Sequence, residues 1–274
     1  MHNTVTVYCP KCHREQDIEN ETAEIVCSGC GKAFTYDAFT CSPGVELDSF
    51  GIDLSDRHFD NKETAARPER RVLNGSYVEL AEDGDVLIQA CNRTERAIEE
   101  ASASAICIDN EGGYYANDEG IWKISFSRYS YQDEPELINE YSGIKNMVAY
   151  QDYFIFIGDL GNGVYIMPKK GGWIRKVYSR YSGFGTCRRL NVFGNWAYYA
   201  VFTNNHYNIY RVSLDGKQRV LMRTHMGNLD EYTVRVNKYG VFFDENREEH
   251  YQLGLMDDAA TLKGKLRAYQ NDNS

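Results

Sequence analysis

Proline is scarce in this chain, five in 274 residues, so little in it forbids extended hydrogen-bonded ladders. Long apolar runs are missing too. Tyr153-Phe154-Ile155-Phe156-Ile157 is among the longest, far short of the roughly 20 residues a membrane-spanning helix needs. The opening Met1 to Cys12 has no basic region followed by an apolar stretch, so no secretory signal is expected. The short catalytic signatures are also absent. There is no His-Glu-x-x-His pair, no Gly-x-Ser-x-Gly elbow and no phosphate-cradling Gly-x-x-x-x-Gly-Lys-Ser/Thr loop. His2, His13, His58, His206, His225 and His250 are scattered. A net charge of −10 gives the whole chain no general attraction for nucleic acid.

What is abundant is tyrosine, 21 residues, with 12 Phe and 3 Trp. Aromatic and β-branched side chains suit a pleated, half-buried surface, so the composition points to sheet. The length allows one large all-β domain or two average ones.

Cys9-Pro-Lys-Cys12 and Cys27-Ser-Gly-Cys30-Gly31 carry the clearest chemistry, two Cys-x-x-Cys pairs with 14 residues between them. A thiolate pair at i and i+3 fits one tight turn, and two facing turns supply four sulfurs in a tetrahedron. Gly31 suits the left-handed backbone that often follows the second cysteine. The expectation is one structural zinc ion per chain on Cys9, Cys12, Cys27 and Cys30; the competing reading is a redox dithiol. His13 is adjacent, but four cysteines already complete a site. Cys41, Cys91, Cys107 and Cys187 lack the dense spacing of a disulfide framework, which favours a cytoplasmic location.

From about residue 76 the chain repeats. Ala105 to Ala116, Val148 to Phe156, Leu190 to Tyr199 and Val234 to Phe243 each read as a short strand, a polar or Gly turn, and a continuous aromatic and aliphatic strand. The second strands centre near 115, 155, 198 and 242, at intervals of 40, 43 and 44. Third strands follow at Ile121–Ile124, Val164–Met167, Ile209–Val212 and Tyr251–Leu255, and fourth strands at Glu136–Tyr141, Arg175–Tyr178, Arg219–Met222 and Leu262–Leu266. A weaker copy, Tyr77 to Gln89, sits only about 28 residues ahead of the next. Four strands every 40-odd residues predict β-propeller blades; a two-sheet sandwich of hairpins is the alternative.

The organisation expected is therefore all-β: a zinc ribbon over 1–40, a linker or closure segment over 41–75, and a propeller over 76–274, with five blades favoured and six possible. Within the ribbon, strands are expected at Val5–Tyr8, Glu24–Val26 and Ala33–Tyr36; in the 41–75 segment Val45–Leu54 alternates like a strand and the highly charged Asp56–Arg71 reads as a linker or exposed helix.

The run Trp196-Ala-Tyr-Tyr199 followed by Ile209-Tyr-Arg211-Val-Ser-Leu214-Asp215-Gly216 resembles a blade of the low-density-lipoprotein-receptor type of propeller. In that family an aromatic strand leads into an Ile-x-Arg-x-x-Leu-Asp-Gly strand and turn. The resemblance covers about 76–268 and implies the architecture while leaving activity blank; such receptor propellers usually have six blades. Three of the four blades depart from the Leu-Asp-Gly turn, carrying Ser125-Phe126-Ser127, Pro168 to Gly171 and Met256-Asp257-Asp258 in its place. The ribbon in turn resembles small zinc ribbons at the ends of bacterial proteins and in transcription factors.

Between Leu160 and Leu214 there is no acidic residue, against eight cations: Lys169, Lys170, Arg175, Lys176, Arg180, Arg188, Arg189 and Arg211. Trp173, Tyr178, Tyr181, Phe184 and Phe193 are interleaved. Lys169, Lys170, Trp173 and Arg175, around an expected loop, are the best candidate patch for an anionic ligand, whether nucleic acid or acidic polysaccharide. The bland alternative is that strand alternation spreads these charges over several surfaces. Acidic turns at Asp109–Glu111 and Asp118–Glu119 lack the spaced calcium-loop pattern and read as solvated turns. The function expected is a non-catalytic binding or scaffolding protein with a protein partner and no membrane. A propeller enzyme, with a channel site assembled from separate blades, is the least supported class.

Overall fold

The computed structural model describes residues 4–19, 23–36, 69–81, 83–91, 93–126, 134–160, 163–177, 186–203, 206–226, 234–237, 240–245 and 249–255. Among these there is no helix, and so none long and apolar enough to cross a membrane. The fold is all-β, with the small antiparallel sheets of a β-propeller. The chain divides into two compact units: Met1–Ala38 with Glu46–Gly161 and Tyr165–Lys176, and Phe39–Val45 with Asn162–Val164 and Val177–Ser274.

The first unit holds three consecutive blades. Blade I is β5 (Glu69–Leu73), β6 (Ser76–Leu80), β7 (Val86–Gln89) and β8 (Arg96–Ile98). Blade II is β9 (Ala105–Ile108), β10 (Gly112–Ala116), β11 (Ile121–Ser125) and β12 (Glu136–Asn139). Blade III is β13 (Ile144–Tyr150), β14 (Tyr153–Gly158), β15 (Tyr165–Pro168) and β16 (Ile174–Lys176). Each is an up-and-down meander, and the first strands β5, β9 and β13 lie beside one another. Side chains alternate across a strand, so a blade flanked on both sides buries both sets. In β10, Tyr115 joins the core shared with Val78, Val86 and Ile88 of blade I, while Tyr114 turns the other way and meets Phe154 of blade III at 5.2 Å. Phe154, Phe156 and Tyr165 are fully buried. At about 1.5–3 kcal/mol for each such ring, face-to-face packing is a large part of what holds the blades in place.

The first blade starts earlier than the sequence suggests. Glu69-Arg70-Arg71 looks like the end of a charged linker, yet it opens β5, and Tyr77–Leu80 belongs to a second strand rather than a first. Second strands therefore begin at Ser76, Gly112, Tyr153, Trp196 and Gly240, intervals of 36, 41, 43 and 44, and the anomalous 28-residue step disappears.

The second unit contains a four-stranded meander, β17 (Thr186–Phe193), β18 (Trp196–Thr203), β19 (His206–Ser213) and β20 (Arg219–Met226), then β21 (Val234–Asn237), β22 (Gly240–Glu245) and β23 (Glu249–Leu253). Tyr198, Ala200, Ile209 and Met222 pack with Val236, Val241 and Leu253. The expected strands at Val45–Leu54 and Leu262–Leu266 lie outside the described residues.

The N-terminal segment forms β1 (Thr4–Tyr8) with β2 (Glu15–Glu19) and, as a separate pair, β3 (Ala23–Val26) with β4 (Ala33–Tyr36). The strand β2, Glu-Gln-Asp-Ile-Glu, carries too little apolar character to be anticipated. More consequential is where β1 goes. It pairs antiparallel with β16, Val7 opposite Arg175 and Tyr8 opposite Ile174, so that blade III continues as a six-stranded sheet ending in β2.

Candidate metal centre

The two cysteine turns are built alike. In the first, the Cys9 amide donates to the Arg14 carbonyl at 3.1 Å and the His13 amide to the Cys9 carbonyl at 2.9 Å. In the second, Cys27 and Lys32 pair at 2.9 Å, and the Gly31 amide donates to the Cys27 carbonyl at 2.9 Å. The residue after each second cysteine has a left-handed backbone, φ 56° at His13 and φ 70° at Gly31. Glycine adopts this freely. His13 does so at a cost that its ring contact with Tyr141, 4.9 Å between centroids and edge-on, helps to offset. That contact also uses the imidazole for packing, and burial lowers its pKa.

These turns bring together the four sulfurs expected to act as ligands. Cys9, Cys12, Cys27 and Cys30 have their Sγ atoms within 4.8 Å of one another, with Cys9 to Cys30 at 3.6 Å and Cys12 to Cys27 at 3.5 Å. A tetrahedral centre with metal–sulfur bonds of about 2.3 Å has sulfur–sulfur edges of about 3.8 Å. The observed separations bracket that value and are far from a disulfide bond of about 2.05 Å; all four cysteines are free thiols. Backbone amides already donate to the sulfurs: Lys11 to Cys9 Sγ at 3.4 Å, and Gly29 to Cys27 Sγ at 3.3 Å. Backbone amides of Cys30 and Gly29 help bring the Cys27 thiol down to about 6. Cys12 is pushed the other way, to about 12: the Arg14 amide favours its thiolate, but hydrogen bonding with the Cys27 sulfur, burial and the other two sulfurs outweigh it. The cluster can hold a metal ion, and the donor set and its spacing fit a thiophilic, tetrahedral one.

The ribbon is also seated. Beyond the β1–β16 pairing, Tyr8 meets Tyr165 at 5.6 Å, and Tyr36 of β4 meets Trp173 at 5.0 Å, both edge-on. Trp173 is tilted against Tyr153 on its own blade, 5.9 Å away. Tyr36 and Val7 are fully buried.

The four residues expected to form an anion-binding patch are not placed on one exposed face. Lys170 is exposed. Trp173 and Arg175 are 2% and 1% exposed, because the last strand of blade III and the residue before it face the ribbon rather than solvent. Lys169 reaches across to blade II and forms an ion pair with Asp109. Arg211, in the other unit, is also buried, donating to the Leu255 carbonyl at 2.9 Å with its guanidinium 5.1 Å over the Trp196 ring. Arg180 lies outside the described residues.

Asp109 corrects a second expectation. Its turn reads as solvated, yet the carboxylate is buried. Oδ1 accepts from the Glu111 and Gly112 amides at 2.7 and 3.0 Å, while Oδ2 accepts from the Tyr114 hydroxyl at 2.9 Å and from Lys169 Nζ. The Lys169 ammonium lies 5.5 Å from the Tyr114 ring centroid. Burial and the Asp109 charge push the Tyr114 hydroxyl and the neighbouring Cys107 thiol well above their usual ranges. The arrangement locks blade II to blade III at the end where the β9–β10 and β15–β16 turns lie. An Asn74 to Asn110 hydrogen bond of 3.0 Å joins blades I and II at that same end. An aspartate 60 residues from its lysine leaves no local signature to find.

No known protein family matches the chain, and no curated protein matches it in sequence. Solved structures resemble it only loosely. A nidogen–laminin complex structure aligns over 67% of this chain and 76% of its own, at 11% identity and a TM-score of 0.43. The WD40 β-propeller domain of Doa1 aligns over 68% and 83%, at 11% identity and 0.39. AztD from Citrobacter koseri aligns over 93% and 81%, at 11% identity and 0.43. Likenesses this distant assign no function.

Proposed function

We propose that this protein is a non-catalytic binding or scaffolding platform whose blades present contacts to a protein partner, and that Cys9, Cys12, Cys27 and Cys30 hold one structural zinc ion. The observation that carries the metal reading is the convergence of four sulfurs within 4.8 Å on two amide-buttressed turns. Zinc is the ion whose preferences, four thiolates in a closed tetrahedron without redox chemistry, such a site meets best. Rigidly packed blades with short turns at both ends support the platform reading in general, since turns on a fixed scaffold are where contacts are made. A reducing, cytoplasmic setting goes with this reading, in keeping with a cysteine spacing that lacks the density of a disulfide framework.

Elemental analysis of protein prepared without chelator tests the metal: about one zinc per chain is expected, falling close to zero in Cys12→Ser/Cys27→Ser. Wild-type protein free of zinc after growth in zinc-replete medium would reject it.

A further inference from the structure

The ribbon has two possible relations to the blades. It can hang from them as a separate module, or it can be docked on one of them. The contacts decide for the second. Strand β1 adds to the outer edge of blade III through Val7 and Tyr8. Three aromatic contacts surround that edge on the ribbon side: Tyr8 on Tyr165, His13 on Tyr141 and Tyr36 on Trp173. The ribbon residues in these contacts are tied to the cysteine turns. Tyr8 immediately precedes Cys9, His13 follows Cys12, and Tyr36 ends the strand that leaves Cys30 and Gly31.

Two hairpins of this size have almost no core of their own. Among the described residues, Val5, Val7, Ile25, Phe34 and Tyr36 are the buried apolar side chains there besides Tyr8, Cys9 and Cys27. Segments this small depend on a metal to fold. The pairing between β3–β4 and β1–β2 is not a continuous ladder; the sulfur cluster, together with the Ser28 amide donating to Gln16 Oε1 at 3.2 Å, fixes Tyr36 relative to Tyr8 and His13.

We propose that the ribbon is a metal-dependent cap on the outer edge of blade III: loading of the four-cysteine site holds β1 against β16, and loss of the metal uncovers Trp173–Lys176 together with Tyr141 and Tyr165. This rests on the zinc reading and goes beyond it. The uncovered surface is a strand edge flanked by aromatic rings, the chemistry that accepts an extended segment by strand addition. The metal state of the thiolates thereby sets whether that edge is occupied from within the chain.

The test uses the full chain in three forms: zinc-loaded, chelator-treated, and Cys12→Ser/Cys27→Ser. Hydrogen exchange is followed in peptides spanning 141–150, 165–177 and, as an internal control, 105–126. In a Trp122→Phe/Trp196→Phe background, Trp173 is the sole tryptophan and its emission reports burial. Metal loss is expected to speed exchange at 173–177 by tenfold or more and to shift Trp173 emission to the red, with 105–126 unchanged. A zinc-loaded protein whose 173–177 exchange and Trp173 emission ignore metal removal would overturn the cap while leaving the zinc reading intact. Opening of 105–126 in parallel would also overturn it, because the metal would then support blade packing as a whole. Failure to find zinc at all would remove both readings. Val7→Pro, which breaks the β1 ladder two residues before Cys9, is the second variant: it should uncover 173–177 with zinc still bound, and retained protection there would count against β1 as the capping strand.

Discussion

Removing the Asp109 carboxylate should loosen blades II and III more than any other single polar change at that interface. In Asp109→Ala the Lys169 ammonium, 15% exposed, keeps its position and loses its anion, and the Tyr114 hydroxyl and two backbone amides lose their acceptor. Breaking a buried ion pair by deleting one partner costs about 3–5 kcal/mol. Residual solvent at Lys169 puts this case near the lower end, roughly 3 kcal/mol. Asp109→Asn retains an acceptor for the two amides, and its Nδ2 can donate to the Tyr114 hydroxyl oxygen, so chiefly the charge-assisted bond to Lys169 is lost and the cost should be smaller, about 1.5–2 kcal/mol. Lys169→Met removes the stranded charge, so the double variant Asp109→Ala/Lys169→Met should recover part of the loss, a coupling of about 1–2 kcal/mol. Two compact units need not unfold together, so a single melting midpoint is the wrong readout. Native-state hydrogen exchange in peptides covering 105–116 and 144–158 reports the local opening free energy. About 3 kcal/mol corresponds to roughly a hundredfold faster exchange. A change below about threefold in Asp109→Ala, or strictly additive single and double variants, would refute the view of this pair as the lock between the blades.

Two further outcomes are expected. Gly216 has φ 77°, and a β-carbon there would sit 2.2 Å from the Val177 carbonyl oxygen, so Gly216→Ala should destabilise β19 and β20 by at least about 1–3 kcal/mol; exchange in 206–226 unchanged within a factor of two would contradict the geometry. Burial, with Glu15 beside Tyr8 and Glu119 near Tyr115, pushes Tyr8, Tyr115 and Tyr198 up to about 12. An unfolded tyrosine ionises near pH 10, so the fold favours the neutral phenol; that stabilisation is complete below about pH 10 and disappears as pH climbs to about 12. Phenolate absorbance should show a late, cooperative step coinciding with loss of sheet structure, and ionisation of all tyrosines near pH 10 with the fold intact would be the contrary result.

How much could be read from sequence follows from the range of each interaction. Strands β10, β14 and β18 are legible because both faces are covered, which leaves continuous runs such as Tyr153 to Ile157. The cysteine turns are legible because their chemistry is written within four residues. Strand β5 is not, since Arg70 and Arg71 make it look like linker. Strand β2 is not, because its free edge is lined by Glu15, Asp17 and Glu19, the kind of charge that edges carry to discourage further pairing. The burial of Trp173 and Arg175, and the pairing of Lys169 with Asp109, depend on segments 60 to about 170 residues away. No local pattern encodes such partners. The basic run from Leu160 to Leu214 shows the limit plainly: among its described cations, Lys170 is exposed, Lys169 is ion-paired and Arg175 and Arg211 are buried, and alternation along strands, together with what happens to lie opposite, decides which is which.

The position of β1 has a temporal consequence. Its seat is made by residues 165–176, so β1, the earliest described strand of the first unit, is among the last there to find its place. At 5–20 residues per second, roughly 8 to 35 s separate the appearance of Tyr8 from that of Lys176. Through that interval the nascent head has no blade to lean on. On the zinc reading proposed above, all four thiolates are in place by residue 30, so they can take up their ion long before that seat exists: metal first, neighbours afterwards.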